Sequence, residues 1–283
     1  MKMRKVENYL KQSIENILNY GYMDENPRPK YKDGTPAHTM SVNHVVRQYD
    51  LSKEFPITEV RRIAWKSAIK EIFWIYQDKS NDLSVLNEKY NVHYWNEWES
   101  KDIPGTIGQR YGADVNKYDL IDNLILDIKK NPYGRRKVMS LWQESSLRAT
   151  DGLAPCAFLT IWNVRGEYLD MMLVQRSGDM LTASGAGGVN EVQYAALQMM
   201  IADCTGYKPG IFTHVVANEQ IYDRHFDNAK EICKRIDDMD KGDRETPRMV
   251  LNHKDSFYDY TIDDFSLENY QPKEPQLSFE LGI

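Results

Sequence analysis

The stretch Val189–Ala202 is apolar nearly all the way round a helix. A helix without a polar face has to be surrounded by other elements, so the sequence predicts a layered fold built around this segment. Its neighbours supply the layers. Val6, Tyr9, Leu10, Ile14, Ile17 and Leu18 form an amphipathic helical stripe, with Gly21 as its stop. Helices are expected again over Ile63–Tyr76, over Leu120–Lys130 up to Asn131-Pro132, and over His225–Met239. Strands are expected over Thr39–Tyr49, Arg135–Trp142, Cys156–Val164, Tyr168–Arg176 and Val215–Tyr222, with a turn at Arg165-Gly166. Phe257–Tyr260 and Leu277–Leu281 read as terminal strands. Asp24–Gly34, Gly105–Gly112, the bend Gly185–Gly188 and the charged stretch Asp240–Arg248 read as loops. Helices and strands mix without a βαβ rhythm or an internal repeat, which predicts an α+β protein.

At 283 residues, 41% hydrophobic and 28% charged, the chain has ample material for a buried core. Ala195–Ala202 is far too short to cross a bilayer. The basic start Met1-Lys2-Met3-Arg4-Lys5 has no apolar core behind it, so no signal peptide is expected. Three cysteines, Cys156, Cys204 and Cys233, lack CxxC spacing, which argues against a disulfide framework or a zinc site. These features predict a cytoplasmic protein. A net charge of −6 and a pI near 5.6 speak against general nucleic-acid binding. A small anion held by local arginines is still compatible, and Arg61-Arg62 and Arg135-Arg136 are candidates, although either pair also reads as solvated surface.

Chemistry concentrates around Ala154-Pro155-Cys156 and Gln175-Arg176-Ser177-Gly178-Asp179, on what read as neighbouring strands. A guanidinium beside a thiol favours thiolate, the nucleophilic form, whereas most cysteines are small core residues. Glu71 stands among Ile72, Phe73 and Trp74. It is either a buried carboxylate, costly unless hydrogen-bonded, or part of an exposed stripe. Asn190 opens the apolar helix and reads as an N-cap or as a ligand-reading amide. Tyr94-Trp95-Asn96-Glu97-Trp98 is dense enough in aromatics for core or for a stacking wall.

Taken in order, Arg28, Glu71, Tyr111, Arg135-Arg136, Cys156, Gln175-Arg176-Ser177, Asp179, Asn190 with Tyr194, and Tyr222 resemble the thymidylate synthase family almost end to end. The resemblance implies a single catalytic domain over residues 1–283, with a large mixed β-sheet flanked by helices. It implies reductive methylation of dUMP to dTMP with 5,10-methylenetetrahydrofolate as co-substrate, giving dihydrofolate and needing no metal. Cys156 would add to C6 of the uracil, Glu71 would be the general acid/base, and Tyr111 would lie near the C5 proton. Arg28, Arg176 and Ser177 would hold the phosphate, joined by Arg135 and Arg136 from the second subunit of a homodimer. Asn190 would read the base, and Gln175 would belong to the same nucleotide site. Tyr222 and Gln220 would serve the sugar. Trp95 and Trp98 would wall the folate pocket, Asp179 would bond the pterin, and Arg61 would meet the glutamate tail.

The sequence departs from the family pattern in places. Leu181–Asn190 is three residues longer than the family's usual segment and lacks its Pro-Phe. Ala157 and Gln220 stand where histidines are usual, and Asn218 where an Asp is common. The altered segment at 182–189 borders the folate pocket, and it keeps open a hydroxymethylase of the same fold, in which water replaces the hydride. A non-catalytic nucleotide- or RNA-binding relative is a third reading, against which the intact Cys156, Glu71 and Tyr111 weigh.

Overall fold

The N-terminal stripe forms α1 (Lys5–Tyr20), which buries Val6, Leu10, Ile14 and Ile17. Gly21 ends it through lack of space: its φ is −69°, but a Cβ there would sit 2.3 Å from the Ile17 carbonyl oxygen. This computed structural model describes residues 3–239 and 245–283. Strands β1 (Tyr22–Met23) and β2 (Thr39–Asp50) follow. Helix α2 (Trp65–Ile72) runs directly into a π-helical turn over Phe73–Gln77. Such a turn re-aims the side chains beside it, and here it begins just past Glu71.

The chain continues through α3 (Gly112–Lys117), α4 (Leu120–Lys130), β3 (Val138–Ser140), α5 (Glu144–Ala149), β4 (Ala157–Arg165), β5 (Tyr168–Gln175) and β6 (Gly178–Asp179). Then come α6 (Val189–Cys204), β7 (Lys208–Tyr222), α7 (Phe226–Asp237), β8 (Arg248–Leu251) and β9 (Phe265–Glu268). The main sheet has the order β1-β2-β7-β5-β4-β3, with β6 also beside β7. Strand β7 runs parallel to β5 and β6 and antiparallel to β2, so the sheet is mixed, as expected. The crossover from β5 to β7 is α6, buried along nearly its whole length between the sheet and α2.

Cross-strand register sorts the two faces of the sheet. Arg47, His214 and Leu173 stand side by side and are buried on the inner face. Val46, Val215 and Val174 form the next row, on the opposite face. That outer face leaves Val46, Met172 and Val138 exposed at 54%, 38% and 52%.

Some expected elements change. β7 begins at Lys208 rather than Val215, because Pro209 and Gly210 mask the strand pattern. Arg135–Trp142 shortens to the strand Val138–Ser140. Phe257–Tyr260 is no strand: Phe257–Asp259 is a 3₁₀ turn capped by Ser256, with Phe257 and Tyr260 buried. Leu277–Leu281 joins no strand. The antiparallel pair β8–β9 was not anticipated. The expected charged loop Asp240–Arg248 lies outside the described residues up to 244. No described helix is long and apolar enough to cross a membrane.

The altered segment at 182–189 is held firmly. Met180–Ser184 forms a π-helical turn capped by Asp179. Arg61 donates to the Leu181 carbonyl at 2.6 Å, Arg47 to the Ser184 carbonyl at 2.7 Å, and the Gly187 N–H donates to Glu191 at 2.7 Å. Gly187 has φ +68°, and a Cβ on it would lie 2.4 Å from the Thr58 nitrogen. We expect Gly187→Ala to destabilise the protein by about 2 kcal/mol or more, seen as a lower urea midpoint at unchanged slope.

Candidate active site

The C-terminal ends of β5 and β7, the start of α6 and the end of α2 meet around one cleft of about 910 Å³. Arg28, Glu71, Trp95, Trp98, Tyr111 and Cys156 line it, as do Gln175, Arg176, Ser177, Asp179, Asn190, Gln220 and Tyr222. Residues scattered over most of the chain are thus brought together. Arg61, Arg135 and Arg136 are not in the lining. Arg61 is buried between the Leu181 carbonyl and the Phe279 ring, whose centroid lies 5.1 Å from the guanidinium. Arg135 and Arg136 are exposed beside β3 and form no ion pair among the described residues.

Cys156 sits just before β4, half-buried. Arg176 grips the loop that carries it, donating to the Ala154 carbonyl at 2.9 Å and the Pro155 carbonyl at 3.2 Å. The same guanidinium reaches Sγ at 3.4 Å. Arg176 lowers the Cys156 pKa, as expected, but burial raises it more, so the net shift is upward from the ordinary value. The backbone N–H of Cys156 donates to the Tyr111 hydroxyl at 3.1 Å. Tyr111 has φ +48°, strained for an aromatic residue. Its neighbour Gly112 packs so tightly that a Cβ would lie 2.0 Å from the Ser80 carbonyl oxygen. That crowding forces the turn and aims the Tyr111 ring between Cys156 and Trp95, whose ring centroid is 5.2 Å away.

Glu71 is buried, which removes the exposed-stripe alternative. Burial raises its pKa to about 7, against the opposing hydrogen bond from Tyr94. Tyr94 donates its hydroxyl to the carboxylate. Trp95 and Trp98 meet edge to face at 5.6 Å and form an apolar wall. Asp179 faces the cleft, with burial raising its pKa and Thr182 bonding its carboxylate. Asn190 accepts from Gln175 at 3.2 Å and donates to Gln193 at 2.9 Å. The structure shows no side-chain cap from Gly188, the N-cap of α6, so Asn190 lies inside the first turn instead of capping it.

The C-terminal segment closes one side. Ile283 and Lys30 exchange backbone hydrogen bonds at 2.9 and 2.8 Å, and the Tyr222 hydroxyl reaches the Gly282 carbonyl at 3.5 Å. Leu281, Gly282 and Ile283 thereby line the cleft. Sequence reasoning missed Tyr94, Gln193 and Thr182. Gln193 had a usable signal, since it lies three residues from Asn190 and so on the same helix face. Among the described residues no cluster of His, Cys, Asp and Glu could hold a metal ion.

A sequence profile of the family described as Thymidylate synthase matches residues 7–283. The chain belongs to the thymidylate synthase family. A thymidylate synthase of Streptococcus pneumoniae (strain 70585) is 50% identical over 288 residues, covering 99% of this chain and 100% of that protein. One from Streptococcus pyogenes serotype M5 (strain Manfredo) is also 50% identical with the same coverage. The solved thermostable thymidylate synthase A from Bacillus subtilis has a TM-score of 0.88 at 36% identity, covering 99% of this chain and 100% of that one. The family, the α+β fold with its large mixed sheet, the folate-dependent methyltransferase activity and the methylenetetrahydrofolate co-substrate all stand.

A raised carboxyl pKa carries a sign. The folded state holds the Glu71 proton up to about pH 7, while the unfolded chain releases it near the ordinary value of 4.5. Stability from this group is therefore present below pH 4.5 and is lost as pH rises through 7. We expect Glu71→Gln to gain about 3 kcal/mol relative to the parent on going from pH 4.5 to pH 8, measured by urea unfolding at both values.

Proposed function

We propose that this cleft carries out the methylation of dUMP with Cys156 as the nucleophile. The observation that carries the reading is the convergence of a thiol, a guanidinium, a buried carboxylic acid, a base-reading amide and an aromatic wall on one cavity. Its volume of about 910 Å³ is near the top of the range for small-molecule sites, about 300–1,000 Å³, as two ligands side by side require. The Trp95–Trp98 wall and the half-buried Asp179 suit a pterin, which offers a ring face and N–H donors.

Arg28, Arg176 and Ser177 hold the phosphate, for which arginine forks are well shaped. Arg176 also stabilises Cys156 as its thiol loses the proton. Sγ bonds to C6, and C5 becomes the nucleophile. C5 bonds to the one-carbon unit of methylenetetrahydrofolate, and loss of the C5 proton beside Tyr111 breaks the bond to the folate nitrogen, leaving an exocyclic methylene on the ring. A hydride from the freed tetrahydrofolate adds to that methylene as the Sγ–C6 bond breaks, releasing dTMP, dihydrofolate and the Cys156 thiolate. Glu71, poised near neutrality and held by Tyr94, exchanges protons at the pyrimidine through water. Asn190 accepts from N3–H and donates to O4 of uracil. Tyr222 and Gln220 serve the sugar.

The protein works as a homodimer of single-domain subunits spanning 1–283, each lending Arg135 and Arg136 to the other's phosphate site. Two features support this: the exposed apolar row Val46, Met172 and Val138 on one sheet face, and the unengaged arginines at the sheet's edge. Action in the cytoplasm fits three free cysteines. Arg61 is assigned instead to bracing Leu181 and Phe279 behind the folate wall.

Incubation with dUMP and methylenetetrahydrofolate should yield equimolar dTMP and dihydrofolate, followed by absorbance and nucleotide mass. Cys156→Ala should cut turnover by about a thousandfold or more while keeping dUMP binding; undiminished turnover would remove the nucleophile assignment. Mixing Cys156→Ala with Arg135→Ala/Arg136→Ala protein should restore activity that neither has alone. No restoration after subunit exchange would sink the shared-site reading.

A further inference from the structure

Behind the cleft, on the inner face of the sheet, lies a fully buried polar cluster that the reaction above does not use. Arg47 on β2 donates to Glu191 at 2.7 Å and also bonds Glu219 at 2.5 Å. His214 on β7 stands next to Arg47 across the ladder. Its Nδ1 lies 3.2 Å from an Arg47 nitrogen and 3.0 Å from a Glu191 oxygen. Its Nε2 points the other way, 3.0 Å from the Gln175 side-chain oxygen. His214 itself does not line the cleft.

Gln175 has only one orientation that satisfies its partners. Its side-chain nitrogen lies 3.0 Å from the Ser177 carbonyl, which can only accept. Its oxygen therefore faces His214, and Nε2 of His214 has to carry a proton. The second N–H of Gln175 goes to Oδ1 of Asn190 at 3.2 Å, and Nδ2 of Asn190 goes to Oε1 of Gln193 at 2.9 Å. The hydrogen bonds run one way, from the buried His214 N–H to the Gln193 side-chain oxygen. In this direction Asn190 has one lone pair and one N–H left for the base, the pattern complementary to N3–H and O4 of uracil. The reversed chain would present the pattern complementary to cytosine.

We propose that His214 is a positioning residue for base selection: its Nε2–H sets the direction of the Gln175–Asn190–Gln193 amide chain and so fixes which way Asn190 faces the pyrimidine. Arg47, Glu191 and Glu219 hold the imidazole in that orientation. The inference rests on Asn190 reading the base, as in the function proposed above.

The test pairs His214→Leu, which removes the donor, with His214→Gln, which keeps an N–H of similar reach. In folded His214→Leu protein, the KM for dUMP should rise at least tenfold and the preference for dUMP over dCMP should fall at least tenfold. His214→Gln should recover most of both. A folded His214→Leu enzyme with unchanged KM and unchanged base preference would overturn the proposal, since a merely structural histidine would change stability alone. Nitrogen-15 NMR of histidine-labelled parent protein gives a second reading that needs no variant. It should show His214 protonated at Nε2, and an unprotonated Nε2 would overturn the proposal. Asn190→Asp separates the two layers. If it shifts preference toward dCMP while the His214 variants change nothing, the relay alone fails. If it leaves base preference untouched, the Asn190 reading and the relay fail together.

Discussion

One buried arginine holds the architecture in place. Arg47 reaches from β2 to Glu219 on β7, to Glu191 in the first turn of α6, and to the Ser184 carbonyl ahead of that helix. Burial disfavours its charge, yet Glu219 and Glu191 hold its pKa well above the ordinary value. Burial likewise works against ionised Glu191, but Arg47 above all keeps its pKa below the ordinary value. Removing one partner from such a set costs about 3–5 kcal/mol, because an uncompensated charge is left in the core. The cluster also fixes the start of α6 against the sheet, and that junction supports Asn190, Gln193 and the turn at Met180–Ser184.

The cleft relies on the same balance of burial and partners, set differently at each group. Glu71 is buried with neutral donors, so its pKa rises into the working range of an acid/base group. Cys156 is half-buried beside a single guanidinium, which only partly offsets the cost of its charge. The same guanidinium lies within 3.4 Å of Sγ, where a cation favours the anionic form. Tyr111 is tied to Cys156 through its hydroxyl, which accepts from the Cys156 backbone N–H, and it holds a strained φ beside the close approach of Gly112 to Ser80.

Much of this was legible in the residues themselves. The helix at Val189–Cys204, the stripe at Lys5–Tyr20 and the hairpin turning at Arg165-Gly166 follow from periodicity and turn chemistry. The start of β7 was hidden because Pro209 and Gly210 break the strand pattern while the neighbouring strand still pairs with them. Phe257–Tyr260 misled because a short aromatic run carries burial but no period long enough to separate a strand from a turn.

The residue types around Cys156 and Arg176 determined by themselves which chemistry the chain supports, since a thiol, a guanidinium and an amide keep their donors and acceptors in any fold. Tertiary structure alone decided how those groups are tuned. It turned Glu71 inward, raised the Cys156 pKa despite Arg176, drew Arg61 behind the pocket wall, and aligned His214 with Gln175 and Asn190. The reason is physical: pKa and hydrogen-bond direction depend on how much water is excluded and on what lies within about 3 Å. Those neighbours come from segments far apart in the chain.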